Sequence, residues 1–259
     1  MFIPKITVKK SDINFNINYI TDLLTPQNTD CKNTSLPFKD RVYGRLPELK
    51  YAIRDNMTKE QVQKQVEAII KNEYKSNEID KRILYVQNKF DKLVVPFLSS
   101  LLDIFNLKWD NLQHEITCYL GCYPVFPRNI FTKEFWVNYN SKDENIIKGA
   151  AHEINHFMLY EKWKTMHQNS TDVEYNYPNP IWFLEEIIVD PTLNESSIQS
   201  IIPYAHKAYV QFYTKTIGGI TIMDRIKDMY KSKTSIEDFL NNVYEFIVDN
   251  LHEFISKCG

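Results

Sequence analysis

The sequence predicts an α+β fold, and three observations carry that prediction. Long stretches on both sides of the middle repeat apolar residues at helical intervals. A short segment between them alternates instead. Glycine, at 6 residues in 259, is too scarce for an all-β protein built on many tight turns. The expected sheet is small, mixed or antiparallel, and lies near the middle of the chain. Residues 1–110 are expected to form a mainly helical region and residues 111–259 a second region, either separate or continuous with the first.

Taken in order, residues 1–50 read as irregular, with Pro4, Pro26, Pro37 and Pro47 and a polar stretch from Asn28 to Ser35. Thr58 and Gln61 have capping-box spacing, and Val62, Val66, Ile69 and Ile70 follow at helical intervals. A longer helix is expected from Ile79 to Phe105, kinked or broken near Pro96, and Trp109 marks a turn. From Glu115 to Tyr123 the apolar residues Ile116, Cys118 and Leu120 alternate with Glu115, Thr117 and Tyr119, which predicts a half-buried strand. Phe135 to Tyr139 predicts a second strand, after a loop holding Pro124, Pro127 and Asn129. Beyond Ser141 the pattern is helical, apart from a polar connection from Lys164 to Pro180.

Composition excludes several classes. Hydrophobic residues at 43% and charged residues at 25% are ordinary for a soluble globular chain long enough to bury a core. The net charge of −2, with scattered Lys and Arg, gives no basic face for nucleic acid. The longest apolar run, Leu93 to Phe105, is interrupted by Pro96 and Asp103 and is too short to cross a bilayer. The N-terminus lacks the pattern of a secretory signal. Cys31, Cys118, Cys122 and Cys258 show no disulfide-framework or paired metal spacing. A reduced, cytoplasmic setting is the expectation.

Chemistry concentrates at Ala151-His152-Glu153-Ile154-Asn155-His156-Phe157, which contains H-E-x-x-H. Residues four apart share a helix face, so two imidazoles can converge on one ion. The helix itself is predicted by a Ser141–Glu144 capping box and by an apolar side made of Ile146, Ile147, Ala150, Ile154, Phe157 and Met158. A similar opening at His114-Glu115 falls in the strand pattern. There i and i+4 lie about 13 Å apart, too far for one ion.

A catalytic zinc takes three protein ligands and leaves a position for water. Leu159 and Lys162 stand where a three-histidine site would carry Gly and His, so the third ligand is sought on a later helix. The run Ile181 to Asp190 is apolar almost all round and reads as a buried helix ended by Pro191. Its buried carboxylates need compensation, which a Zn²⁺ ion would supply. Glu186 suits the ligand position, and Asp190, four residues on, suits an acceptor for a histidine N–H.

H-E-x-x-H followed by a helix with E-x-x-x-D resembles the gluzincin peptidases, the thermolysin-like group. The likeness covers about residues 115–190 in organisation. It implies that His152, His156 and Glu186 bind zinc and that Glu153 is the general base. The spacing of some relatives, with the ligand three residues after a Trp, selects Glu185 instead of Glu186. Ile187 also stands where that family carries Gly or Ala.

The expected activity is hydrolysis of a peptide or protein substrate. Glu153 would take a proton from the attacking water and pass it to the leaving amine. Tyr175, Tyr177, Tyr204, His206 and Tyr209 are candidates for the donor that steadies the oxyanion. The strand Phe135–Tyr139 is either an edge that pairs with extended substrate or one covered by its own chain. Two other readings of the motif are a non-catalytic metal-binding or regulatory module and a deformylase-like amidase with Cys122 as third ligand.

Overall fold

The computed structural model describes residues 4–25, 38–108 and 115–255. Pro26, Pro37, the Asn28–Ser35 stretch, Trp109, His114, Cys31 and Cys258 lie outside the described residues. The chain forms an α+β structure in which two compact units do not follow chain order. One gathers residues 5–92 and 115–150, the other residues 93–114 and 151–258.

The first unit begins with β1 (Lys5–Lys10), α1 (Ile13–Leu24), α2 (Phe38–Arg45), α3 (Pro47–Ala52), α4 (Lys59–Lys75) and the N-terminal part of α5 (Glu78–Ile104). It closes with β2 (Glu115–Gly121), β3 (Arg128–Asn129), β4 (Glu134–Asn138) and the start of α6 (Asp143–Met166). Among the described residues, the expectation that residues 1–50 are irregular is therefore wrong. Asp12 caps α1 by accepting from the Phe15 amide, and Pro47 opens α3 in the first turn, where its missing N–H costs nothing. The Thr58–Gln61 capping box forms at the head of α4. Pro96 is contained within a continuous α5 rather than ending it.

The four-stranded sheet has the order β1-β2-β4-β3, with β1, β2 and β4 parallel and β3 antiparallel. Register places Ile6 beside Ile116, Val8 beside Cys118, Cys118 beside Phe135 and Leu120 beside Val137. All of these side chains are buried. Tyr119 and Trp136 stack on the other face at 5.2 Å. The outer edge of β1 is closed by a side chain. Gln87 accepts from the Val8 amide at 2.8 Å and donates to the Ile6 carbonyl at 2.9 Å, as a neighbouring strand would. Strand β4 is flanked on both sides, because β3 pairs with it and the Trp136 amide donates to the Pro127 carbonyl at 2.9 Å. The alternative of a strand covered by its own chain is the one found.

The Ser141–Glu144 capping box does not form, since α6 starts at Asp143. Arg82 anchors this end instead, donating to the carbonyls of Tyr139 (3.1 Å) and Ser141 (2.9 Å) and pairing with Asp143 at 2.7 Å.

The second unit takes the C-terminal parts of α5 and α6, then a 3-10 turn (Asp172–Tyr175), α7 (Pro180–Ile187), α8 (Val189–Leu193) and α9 (Ser196–Gln199). It continues with α10 (Gln211–Thr214), a hairpin of β5 (Thr216–Ile217) and β6 (Ile220–Thr221), α11 (Ile222–Ser232), α12 (Ile236–Asp249) and α13 (Leu251–Ile255). Gly218 and Gly219, at φ of 61° and 83°, make the hairpin turn that only glycine adopts without strain. Its buried apolar residues include Ile154, Phe157 and Met158 of α6, Phe183, Leu184 and Ile187 of α7, and Leu240, Val243 and Ile247 of α12.

The run from Ile181 to Asp190 is two helices, not one. Pro191 has no N–H to give the Ile187 carbonyl, so the ladder lapses at Ile188 and restarts with Pro191 inside the first turn of α8. The proline breaks the helix before itself rather than after. Among the described residues no helix is long and apolar enough to cross a membrane.

Gly149 of α6 faces the Phe126 ring, and a Cβ there would run into it. Gly44 near the end of α2 has nothing within 4 Å of an added Cβ. Gly149→Ala should therefore cost about 1–3 kcal/mol by overpacking, while Gly44→Ala stays within about 0.5 kcal/mol. Urea denaturation of the two variants checks the difference.

Candidate metal centre

All the groups at the centre belong to the second unit. From His152 to Leu159, α6 is buried on nearly every side, so it is a central helix rather than an amphipathic one. That burial takes Glu153, Asn155 and His156 into the interior along with Ile154 and Phe157. The i, i+4 spacing brings the rings of His152 and His156 to a centroid separation of 4.5 Å, nearly perpendicular at 83°.

Helix α7 supplies the acids. Glu186 lies 3.4 Å from His152 Nε2 through one oxygen and 3.8 Å from His156 Nε2 through the other. One ligand atom from each of His152, His156 and Glu186 falls within 4.8 Å of the others. A tetrahedral zinc with bonds of about 2.1 Å spaces its ligands roughly 3.4 Å apart, so the group closes on such an ion with small side-chain movements. The donor set of two imidazoles and a carboxylate also fits zinc chemistry. The side chains of His156 and Glu186 are 0% and 3% exposed, and that of His152 is 27% exposed. Access to the group is therefore on the His152 side.

Glu185 takes a different position from its neighbour. Adjacent residues on a helix point about 100° apart, and the Glu185 carboxylate lies 4.0 Å from Nδ1 of His156, the nitrogen opposite the one near Glu186. The two consecutive glutamates thus bracket one imidazole. Ligand histidines use one ring nitrogen for the metal and give the other N–H to a carboxylate or carbonyl. Glu185 lies on the side of that second nitrogen, at 4.0 Å, beyond direct hydrogen-bond distance. Of the two glutamates, Glu186 is the one grouped with both imidazoles.

Asp190 does not do what the sequence suggested. It sits past the break at Ile188 and receives the Tyr213 hydroxyl at 2.5 Å, the Asn194 amide at 3.2 Å and the Lys227 ammonium at 2.9 Å. Tyr213, Asn194 and Lys227 carried no motif, and only the tertiary fold brings them to Asp190. Helix α8 is tied to the metal helix by Thr192, whose hydroxyl contacts the side-chain amide of Asn155 at 2.9 Å and the Ile188 carbonyl at 2.7 Å.

The five oxyanion candidates separate. Tyr175 is buried against Tyr160, and burial, with the Glu185 carboxylate adding to it, pushes its phenol well above the ordinary range. It therefore stays a hydrogen-bond donor through neutral pH. Tyr177 and Tyr209 pack on Trp182 at 5.1 and 5.8 Å. The Tyr204 carbonyl accepts from Gln199, and His206 lines a cavity with Lys207 and Tyr213.

Cys122 lies in the first unit, in an apolar cluster with Ile17, Ile20, Val66 and Ile70. Burial pushes its thiol up to about 12. A ligating cysteine must be a thiolate, so this environment opposes the deformylase-like ligand set. Compared with protein-family models, with curated proteins and with solved structures, the chain finds no match.

Zinc content and affinity measured with a competing chelator should follow the geometry. His156→Ala and Glu186→Gln lose the metal, Glu185→Gln weakens binding about 10–100-fold, and Cys122→Ser leaves it unchanged.

Proposed function

We propose that this chain is a zinc-dependent hydrolase that cleaves peptide bonds, with His152, His156 and Glu186 holding the metal and Glu153 as general base. The observation that carries this reading is the convergence of two imidazoles and one carboxylate from separate helices on a space the size of one ion. A zinc ion bound there supplies Lewis acidity, making a water acidic near pH 7 and polarising a carbonyl.

The protein's own groups do the rest. Glu153 follows His152 directly and lies in the interior. It takes the proton from the attacking water and returns it to the leaving nitrogen. Glu185 faces the other ring nitrogen of His156, Nδ1, at 4.0 Å. The intact Glu153 favours a hydrolase over a module that only binds metal.

The test is cleavage of a mixed peptide library with and without a chelator. Glu153→Gln should keep its zinc and lose about 10²–10⁴-fold in turnover. Cleavage that is absent, or indifferent to both chelation and Glu153→Gln, would rule the reading out.

A further inference from the structure

Asp190, set aside from the metal group, forms part of the wall of a separate cavity in the second unit. The cavity measures about 550 Å³ and is bordered by Lys207, Lys227, Lys231 and Lys233 together with Glu195 and His206. That volume is in the usual range for a small-ligand site.

Its charges do not cancel. Asp190 is already satisfied by Lys227, Tyr213 and Asn194. Glu195 has Lys233 at 3.9 Å, and the Lys233 ammonium also lies 3.5 Å from the centroid of the Tyr230 ring. These two pairings account for both carboxylates and leave Lys207 and Lys231. Lys231 reaches Asp228 only at 4.0 Å, with both side chains more than 70% exposed, a pairing that contributes little in water. The lining therefore carries two more lysines than carboxylates in a chain whose net charge is −2.

The wall is also built rather than loose. Asn194 clamps the backbone of His206 from both sides, accepting from its N–H at 3.0 Å and donating to its carbonyl at 2.8 Å. The Tyr213 hydroxyl that donates to Asp190 accepts from the Ala208 amide at 2.9 Å. The His206 backbone is thereby held in the lining, and the residue is only 3% exposed. A wall held in this way beside surplus ammonium groups suits a compact oxyanion.

We propose that this cavity binds a carboxylate or phosphate group, with Lys207 and Lys231 supplying the attraction and Lys227 and Lys233 forming the walls. The inference does not depend on zinc or on peptide cleavage. Two sources share the chemistry: free phosphate, and the acidic side chain of a peptide.

Calorimetric titrations with inorganic phosphate and, separately, with a tetraglutamate peptide distinguish them. At least one probe should saturate at millimolar concentration or below, and the one that does names the source. The double variant Lys207→Glu/Lys231→Glu should weaken that binding by on the order of tenfold, with thermal stability and zinc content unchanged. Both replaced side chains are exposed, so the fold is retained. Failure of both probes to saturate below about 10 mM, or binding that the double variant leaves intact, overturns the proposal.

Discussion

Ionisable side chains in the dry interior of α6 and α7 are the constraint on which the rest of this molecule turns. Glu153, His156, Glu185 and Glu186 are all buried. Taking such charges out of water costs several kcal/mol each unless they meet opposite charge. The fold concentrates them within two short helical stretches, with two of the acids bracketing one imidazole. A divalent cation reverses the sign of that cost, because it is the largest local charge and turns mutual repulsion among carboxylates into shared attraction. The proposed metal is thus as much a matter of stability as of chemistry.

Around that centre the architecture separates tasks. Helix α6 fixes the two imidazoles one turn apart, and its own start is anchored by Arg82 through the Tyr139 and Ser141 carbonyls. Helix α7 delivers the glutamates, while Asp190, in α8 beyond Ile188, is held by Tyr213, Asn194 and Lys227 at the lysine-rich cavity wall. The Asn155–Thr192 contact ties α8 back to the metal helix. One proline, by withholding one N–H, interrupts the hydrogen-bond ladder of a run that reads as one helix in sequence.

Much of the centre was legible beforehand because the spacing rules that carry it are local. Two histidines four residues apart on a helix must share a face, and an apolar run with acids in it must bury them. The alternation from Glu115 to Tyr123 likewise marked β2, and Thr58 with Gln61 marked the head of α4. What escaped depends on partners distant in sequence. Strand β1 has too short an alternation to stand out beside nearby prolines, and it is stabilised by pairing with β2, more than a hundred residues later. The second-nitrogen position of Glu185 and the ties of Tyr213 and Lys227 to Asp190 are tertiary facts with no periodic signature. The expected cap at Ser141 does not form because α6 starts two residues further on, at Asp143.

X-ray absorption at the zinc edge, on protein loaded with one equivalent of metal, tests the central claim most directly. Two imidazole nitrogens and one or two oxygens at about 2.0–2.2 Å, with no sulfur scatterer, are the expected shell. A sulfur at about 2.3 Å, or a shell of water oxygens without imidazole, would contradict it.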